Sequence, residues 1–454
     1  MANRIAEPPD VHALLRHLEP ETFVRVVNVG ATLTDGRYLH WDDIRRRRPP
    51  EGLTIEQWWA GMRLARQQSS RPTGLVDIHG IPFSYSLVDP ILRSLHYVDL
   101  RATGRSAAPA AVLDRSTRNR YKVRGLIEEA LSSSQLEGAS TTRVVAKQML
   151  RSGRNPRDKS ERMIFNNYNA INFIKEATSE NLTPGLLLEM HARLTDGTMD
   201  DQKDCGRFQQ PGESRVSVVD WRSGEEVFSP PPAEQIPERI ERMCDFANDG
   251  EYSFTHPLVK AILLHFWLAY IHPFVDGNGR AARALFYWSA LRAGYWLTEY
   301  VSISEIVLKA PAKYGNAFLH TETDSNDLTY FLIHQLEVLR RAFEELAIYV
   351  DETIERMQAA ERLAGDLPGL NHRQRALLGH ALRHPGYRYT YRSHGTSHGV
   401  VLQTARTDLL ALASHGLLDG GKEGRQRVFI SPDDLGARLR ASDKTPTTPT
   451  HTNF

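Results

Sequence analysis

Cysteine is nearly absent from the 454 residues: Cys205 and Cys244 are the only two, and no CxxC spacing is present. That excludes a disulfide framework and a cysteine-rich zinc site, and suits a reducing compartment. Charge of one sign is lacking as well. With 56 Lys and Arg against 55 Asp and Glu, no global field points to nucleic acid or to a membrane surface. No apolar run reaches the roughly 18 residues of a spanning helix, and the segment Met1-Ala-Asn-Arg-Ile-Ala-Glu-Pro-Pro has no signal-peptide core. The expectation is a cytoplasmic protein with no membrane partner. Strand-like alternation is scarce too, so the fold class reads as mainly α. The length suggests about two or three domains, and 41% hydrophobic content is ample for their cores.

What is present concentrates in Ile271-His-Pro-Phe-Val-Asp-Gly-Asn-Gly-Arg280, continuing to Arg283. Gly277 and Gly279 lack a Cβ, so the backbone can turn left-handed and bring its N–H groups close to an anion. A helix starting near Arg280 adds orphan amides and the positive end of a dipole. On that helix Arg280 and Arg283 share a face and can both grip phosphate charge. Asp276 suits Mg2+, which favours a carboxylate plus substrate phosphates. His272 is the group able to take a proton near neutral pH.

This run resembles the Fic motif, HxFx(D/E)GN(G/K)R followed by a second arginine, and every specified position is matched. Fic-family enzymes are mostly adenylyltransferases, moving AMP from ATP to a protein hydroxyl. The resemblance implies His272 as general base, Asp276 as Mg2+ holder, and Asn278 with the glycine amides and Arg280 as the phosphate cradle. Gly279 argues against the phosphotransferase branch, which carries lysine there.

Upstream, a helix over about 118–138 ends in Ser132-Ser-Ser-Gln-Leu-Glu-Gly138, with Ser133 and Glu137 stacked at i and i+4 and Gly138 as the stop. A glutamate at that end opposes the helix dipole and needs a partner. The segment resembles the (S/T)xxxE(G/N) inhibitory motif of Fic proteins. The resemblance implies that Glu137 pairs with Arg283, taking the arginine that would otherwise hold the ATP γ-phosphate. Related enzymes also run the reverse hydrolysis, so deAMPylation through Glu137 stands as a side reading.

The one hairpin signal is Arg215-Val-Ser-Val-Val-Asp-Trp221, a turn at Arg222–Glu225, and Val227-Phe-Ser229. Its free edge, at Val216, Ser217, Val218 and Val219, can add an extended peptide as a strand; a hairpin that only covers the core is the other reading. In the resembling family a hairpin at this place is the flap that holds the target. Tyr314, where Fic proteins often have a Tyr-Tyr pair near the adenine, is open between stacking on a base and packing. His191 and His265 read as helix-face and core histidines. Arg45–Arg48 read as a solvated run.

The domains expected are 1–105, a separate helical N-terminal region; 106–365, a Fic helical bundle with a β-hairpin flap and the motif at 272–280; and 370–440. This last segment resembles a winged helix-turn-helix, with Gln403, Arg406 and Arg425 as its DNA-facing candidates and protein contact equally open. The tail 441–454 reads as disordered. The expected partners are thus ATP, a target protein and, through the last domain, DNA; a homodimer stays open. The competing function is a nucleotide-sensing transcriptional regulator acting through the winged unit.

Overall fold

The computed structural model describes residues 5–102, 115–152, 154–219, 226–248, 254–366, 369–423 and 426–443. Two units divide the chain: Met1–Ser106 with Lys122–Glu344, and Ala107–Tyr121 with Glu345–Phe454.

The larger unit opens with α1 (Val11–Arg16), α2 (Pro20–Val27), α3 (Trp41–Ile44) and α4 (Ile55–Gln68). The Thr54 hydroxyl accepts from the Gln57 amide at 3.2 Å while Gln57 accepts from the Thr54 amide at 2.9 Å, the reciprocal cap its sequence predicts. A hairpin of β1 (Arg71–Val76) and β2 (Pro82–Tyr85) follows, then α5 (Asp89–Ala102). That hairpin was not expected: Pro72 and Pro82 sit in its strands and Gly74 takes a positive φ, so alternation is broken where pairing occurs. The arginine run is surface: Arg45 and Arg46 pair with Asp42, and Arg47 with Asp35.

Residues 1–105 are not a unit of their own. Arg63 pairs with Asp324 at 3.0 Å and Arg66 donates to Tyr330 Oη at 2.8 Å and to the Leu39 carbonyl at 2.9 Å, all buried. The Arg66 guanidinium also lies 3.8 Å from the centre of the Tyr38 ring, whose hydroxyl donates to Asp327. Backbone bonds join Ser84 to Asn326 and to Leu328. Charges withdrawn from water need their partners in place. Residues some 260 positions apart therefore share one core.

The rest of the unit comprises α6 (Arg115–Leu136, shared with the smaller unit), α7 (Arg143–Ser152), α8 (Lys159–Glu176), α9 (Pro184–Thr195), the strands β3 (Val218–Val219) and β4 (Glu226–Phe228), α10 (Ile236–Ala247), α11 (Pro257–Ile271), α12 (Asn278–Arg292), α13 (Ile303–Lys309), α14 (Pro311–Thr323) and the start of α15 (Thr329–Asp366). α11 is apolar nearly all round, and twelve of its residues are buried; α12 is equally enclosed, with Arg280 and Arg283 among its buried residues. A helix without a polar face belongs at the centre of a bundle.

The β3–β4 pairing is shorter than expected. Arg215–Ser217 lie outside the strand because the Arg215 side chain is drawn into backbone carbonyls, at 2.7 Å from Pro231 and from Ile271. The turn 222–225 lies outside the described residues.

The smaller unit, after α15, runs α16 (His372–Arg383), β5 (Arg388–Tyr389), α17 (Tyr391–His398), α18 (Leu402–Ser414), β6 (Asp419–Glu423), β7 (Gln426–Ile430) and α19 (Leu435–Asp443). Its antiparallel sheet has the order β5-β7-β6, and its core gathers Leu377, Leu378, Leu409, Leu412 and Phe429. Asp408, buried, ties three elements together through Arg373 at 2.7 Å, Asn371 at 2.7 Å and His394 at 3.1 Å. Two elements were missed here. α17 is rich in Ser, His and Gly, weak helix formers, and β6 contains two glycines. Gln403 and Arg406 are exposed on α18; Arg425 and the tail from 444 lie outside the described residues.

Replacing Arg66 by Met should lower the unfolding free energy by about 3 kcal/mol, because Asp324 and two buried acceptors lose a donor. The drop is read as a lower midpoint in guanidinium unfolding at unchanged m value.

Candidate active site

The site is the joint between α11 and α12, and its first feature is backbone. α11 ends where His272 adopts φ 51° and ψ 53°, a left-handed conformation uncommon outside glycine. Gly277, at φ 83°, turns the chain again and caps α12. The helix starts at Asn278, two residues earlier than expected. Gly279 is therefore helical, not left-handed, and the reason for a glycine there is space: a Cβ would lie 2.3 Å from Glu137 Oε1.

The six residues between the helices, 272–277, are held from all sides. Asn278 Oδ1 accepts from the Phe274 amide at 2.9 Å, and its Nδ2 donates to the Phe274 carbonyl at 2.7 Å. Arg280, 1% exposed, donates to the Leu194 carbonyl at 3.0 Å and to Asp276 Oδ2 at 3.2 Å. Asn278 and the terminal nitrogens of Arg280 thus brace the loop, while Arg280 Nε has no partner among the described residues. What faces outward is backbone. The amides of Asn278, Gly279 and Arg280 are the orphan donors of the first turn, since the first intrahelical bond is from Ala281 and no side chain caps the end.

Two residues that the sequence did not single out complete the frame. His191, on α9, stacks on Phe274 with centroids 3.8 Å apart and planes 1° from parallel. Its Nδ1 accepts from the Gly206 amide at 3.1 Å, so Nε2 carries the proton and donates to the Asp276 carbonyl at 2.8 Å. Burial pulls its pKa down to about 4, which keeps that neutral tautomer. Arg215 reaches the Ile271 and His272 carbonyls at 2.7 and 3.0 Å. Their signal in the sequence is only a polar residue inside an apolar period, which most buried histidines share.

His272 is half-buried, and its Nδ1–H donates to the Ala269 carbonyl at 3.2 Å, leaving Nε2 with a lone pair. Burial lowers its pKa below 6.5, so the ring is neutral at physiological pH. Asp276 is half-exposed; Oδ1 accepts from the Gly277 amide at 2.6 Å.

Glu137 occupies the mouth of this arrangement. Arg283, 3% exposed, donates from Nη2 to Glu137 Oε1 at 2.9 Å, from Nε to Ser133 Oγ at 2.9 Å and from Nη2 to the Ser133 carbonyl at 3.0 Å. Gly138, at φ 92°, ends the turn that presents the glutamate. Burial alone would raise the Glu137 pKa; Arg283 and Arg280 outweigh it and hold the carboxyl below 4.5, so the pair is ionised. A carboxylate thus sits against the first turn of α12, where any other anion would have to bind.

Tyr314 is half-buried; its hydroxyl meets His265 Nε2 at 2.9 Å and its ring stands edge-on to Phe318. Burial takes the His265 pKa down to about 3, a core histidine. Among the described residues no three His, Cys, Asp or Glu side chains converge on a metal position, and no helix is long and apolar enough to cross a membrane. Val216 and Ser217 precede β3, and Val218 and Val219 form it.

A helical bundle whose two central helices meet in a loop of bare amides, beside a neutral imidazole, is an arrangement able to receive an anion. Residues 181–290 match the Fic/DOC family. Protein adenylyltransferase fic-1 of Caenorhabditis elegans is 26% identical over 209 residues, 45% of this chain and 38% of that protein. Protein adenylyltransferase Fic of Nematostella vectensis is 32% identical over 117 residues, 26% of this chain and 25% of that one. The chain thus spans well under half the length of these relatives. A solved Fic family protein from Desulfovibrio desulfuricans G20 shares the fold at a TM-score of 0.50 and 20% identity, over 76% of this chain and 97% of that one.

Changing His191 to Phe keeps the stack on Phe274 and removes both hydrogen bonds. Amide exchange at Gly206 should then quicken roughly fivefold, the worth of one such bond, read by hydrogen-deuterium exchange.

Proposed function

We propose that the protein is an adenylyltransferase that moves AMP from ATP to a hydroxyl side chain of a target protein, and that Glu137 holds it inactive. The observation that carries the reading is the first turn of α12, with orphan amides, Arg283 and the free Nε2 of His272 gathered at one end of one helix. The relatives named adenylyltransferases support the reaction class.

In this reaction His272 Nε2 takes the proton of the attacking hydroxyl. The new bond joins that oxygen to the α-phosphorus, the bond from the α-phosphorus to the bridging oxygen breaks, and pyrophosphate leaves. The amides at residues 278–280 hold phosphate oxygens through the charge shift. The Gly-bounded loop keeps the imidazole and the amides in register, so little reorganisation accompanies the step. Asp276 is the residue that would hold Mg2+. Its carboxylate is half-exposed and has lone pairs beyond those accepting from Gly277 and Arg280, which suits an ion completed by substrate phosphates. Bound there, the ion would neutralise phosphate charge. The β3–β4 edge would align the target backbone by strand addition.

Glu137 blocks this in two ways: its charge opposes the γ-phosphate at the helix mouth, and it occupies the guanidinium of Arg283 that the phosphate needs. Whether a freed Glu137 also directs water in the reverse reaction is decided by assaying the wild-type chain on AMP-modified target. For the smaller unit we propose a winged helix-turn-helix, with α17 and α18 as the helix pair and β6–β7 as the wing. Exposed Gln403 and Arg406 on α18 support nucleic-acid contact.

With ATP labelled in the adenine, Glu137→Gly should raise transfer to protein by roughly fivefold to a hundredfold, and His272→Ala in that background should abolish it. Unchanged transfer in Glu137→Gly removes the autoinhibition; γ-label transfer in place of adenine label replaces the reaction by a kinase-like one. Because burial depresses the His272 pKa, the base form persists below pH 6.5, and the activity of Glu137→Gly should fall only as pH drops through that depressed value. An acid limb centred above 6.5 contradicts His272 as the base.

A further inference from the structure

A cavity of about 370 Å3 lies away from the motif, between the turn of the β1–β2 hairpin and the start of α10, its wall including Gly74, Asp77, Gln235, Arg239, Arg242 and Trp267. One buried cation of that wall lacks a carboxylate partner, and one buried donor lacks an acceptor. Arg239 is 8% exposed, yet among the described residues no carboxylate pairs with it: it donates to the carbonyls of Val76 at 2.6 Å and Asp77 at 2.9 Å, and to Gln235 Oε1 at 3.0 and 2.8 Å. Those bonds use four of the five guanidinium N–H groups. Trp267 is 1% exposed and its indole N–H has no partner.

The acids nearby are committed elsewhere. Asp77 accepts from the amides of His79 and Ile81 and from Asn326, and Glu238 pairs with Arg242 at the rim. A buried cation without a counter-ion and a buried N–H without an acceptor both carry a desolvation cost. One entering carboxylate relieves the two together, and the guanidinium makes that bond charge-assisted. Ile78 lines the cavity, and it and Ile81 on the same turn are 49% and 51% exposed, apolar flanks at the opening.

The cavity adjoins the hairpin proposed to hold the target. Gln235 follows Phe228 of β4 by seven residues, the Phe228 ring packs on Tyr270 with centroids 5.2 Å apart, and Tyr270 lies one helical turn beyond Trp267. We propose that this cavity docks an acidic side chain, flanked by apolar residues, of the protein that is modified. The assignment of the occupant rests on the transfer reaction proposed above; the carboxylate site itself does not.

The test is binding by NMR, independent of catalysis, on the full chain with 15N-labelled tryptophan. There are seven tryptophans, and the Trp267 indole resonance is the one lost in Trp267→Phe. Titration with acetyl-Leu-Glu-Leu-amide should move that resonance, and the same peptide with Gln should bind at least roughly tenfold more weakly. Arg239→Lys, its fold checked by the unmoved other indoles, should weaken the Glu peptide by a similar factor; Arg242→Ala should weaken it only a few-fold. A Trp267 resonance indifferent to the Glu peptide, or equal affinity for Glu and Gln peptides, overturns the site. Acetate matching the peptide's affinity places a small carboxylate there and overturns docking. Loss of all AMP transfer with intact peptide binding sinks the reaction and leaves the site standing.

Discussion

A guanidinium enclosed in the centre of a helical bundle has to be given an anion, and much of the site follows from how Arg283 receives one. In the resting chain the anion is the Glu137 carboxylate, backed by the hydroxyl and carbonyl of Ser133. The exchange partner would be a phosphate, stronger in charge and held also by the open amides of α12. The two anions cannot share the mouth of that helix. A Cβ on Gly279 already meets Glu137 Oε1 at 2.3 Å, so there is no room for a second group while the glutamate is in place. On the proposed reading, inhibition is occupation of a site and needs no remote rearrangement.

The same economy explains the behaviour of the motif's polar residues. A loop of six residues between two buried helices leaves carbonyls and amides that water cannot reach, and these have to be satisfied internally. Asn278, Arg280, His191 and Arg215 do this work, each bonded to backbone. Their reward is indirect: with the loop fixed, the imidazole of His272 and the first-turn amides keep one relative placement. Side chains that look like ligand contacts in the sequence thus also brace the loop whose backbone amides open at the start of α12.

That distinction marks what the sequence could reveal. The helical class and the Thr54 cap were legible, because periodicity and capping are local rules; the pairing of Glu137 with Arg283 was implied by the resemblance to the inhibitory motif and by no local pattern. The β1–β2 hairpin was hidden by its prolines and α17 by its weak helix formers; tertiary packing overrides propensity in both. His191 and Arg215 were invisible for a different reason. Their partners are backbone atoms 85 and 57 residues away in the chain, and backbone has no sequence signature. The union of the N-terminal helices with the bundle depends likewise on Arg63 and Arg66 meeting Asp324 and Tyr330, a contact no local pattern announces.

How α6 holds Glu137 then limits how inhibition can end. Glu129, Ser133 and Glu137 recur every four residues, so they form one stripe along the helix. Glu129, buried, accepts from the hydroxyls of Tyr287 and Ser302 and from the amide of Ser304 at 2.9, 2.8 and 3.1 Å, a carboxylate anchored to α12 and the segment beyond it. Removing the whole helix would strand that charge in the core, at several kcal/mol by the usual cost of breaking a buried charged network. Moving Glu137 alone strands only Arg283, and an arriving phosphate compensates that at once. The last turn, already closing at Gly138, is thus the part of α6 that can yield while the two turns before it stay fixed.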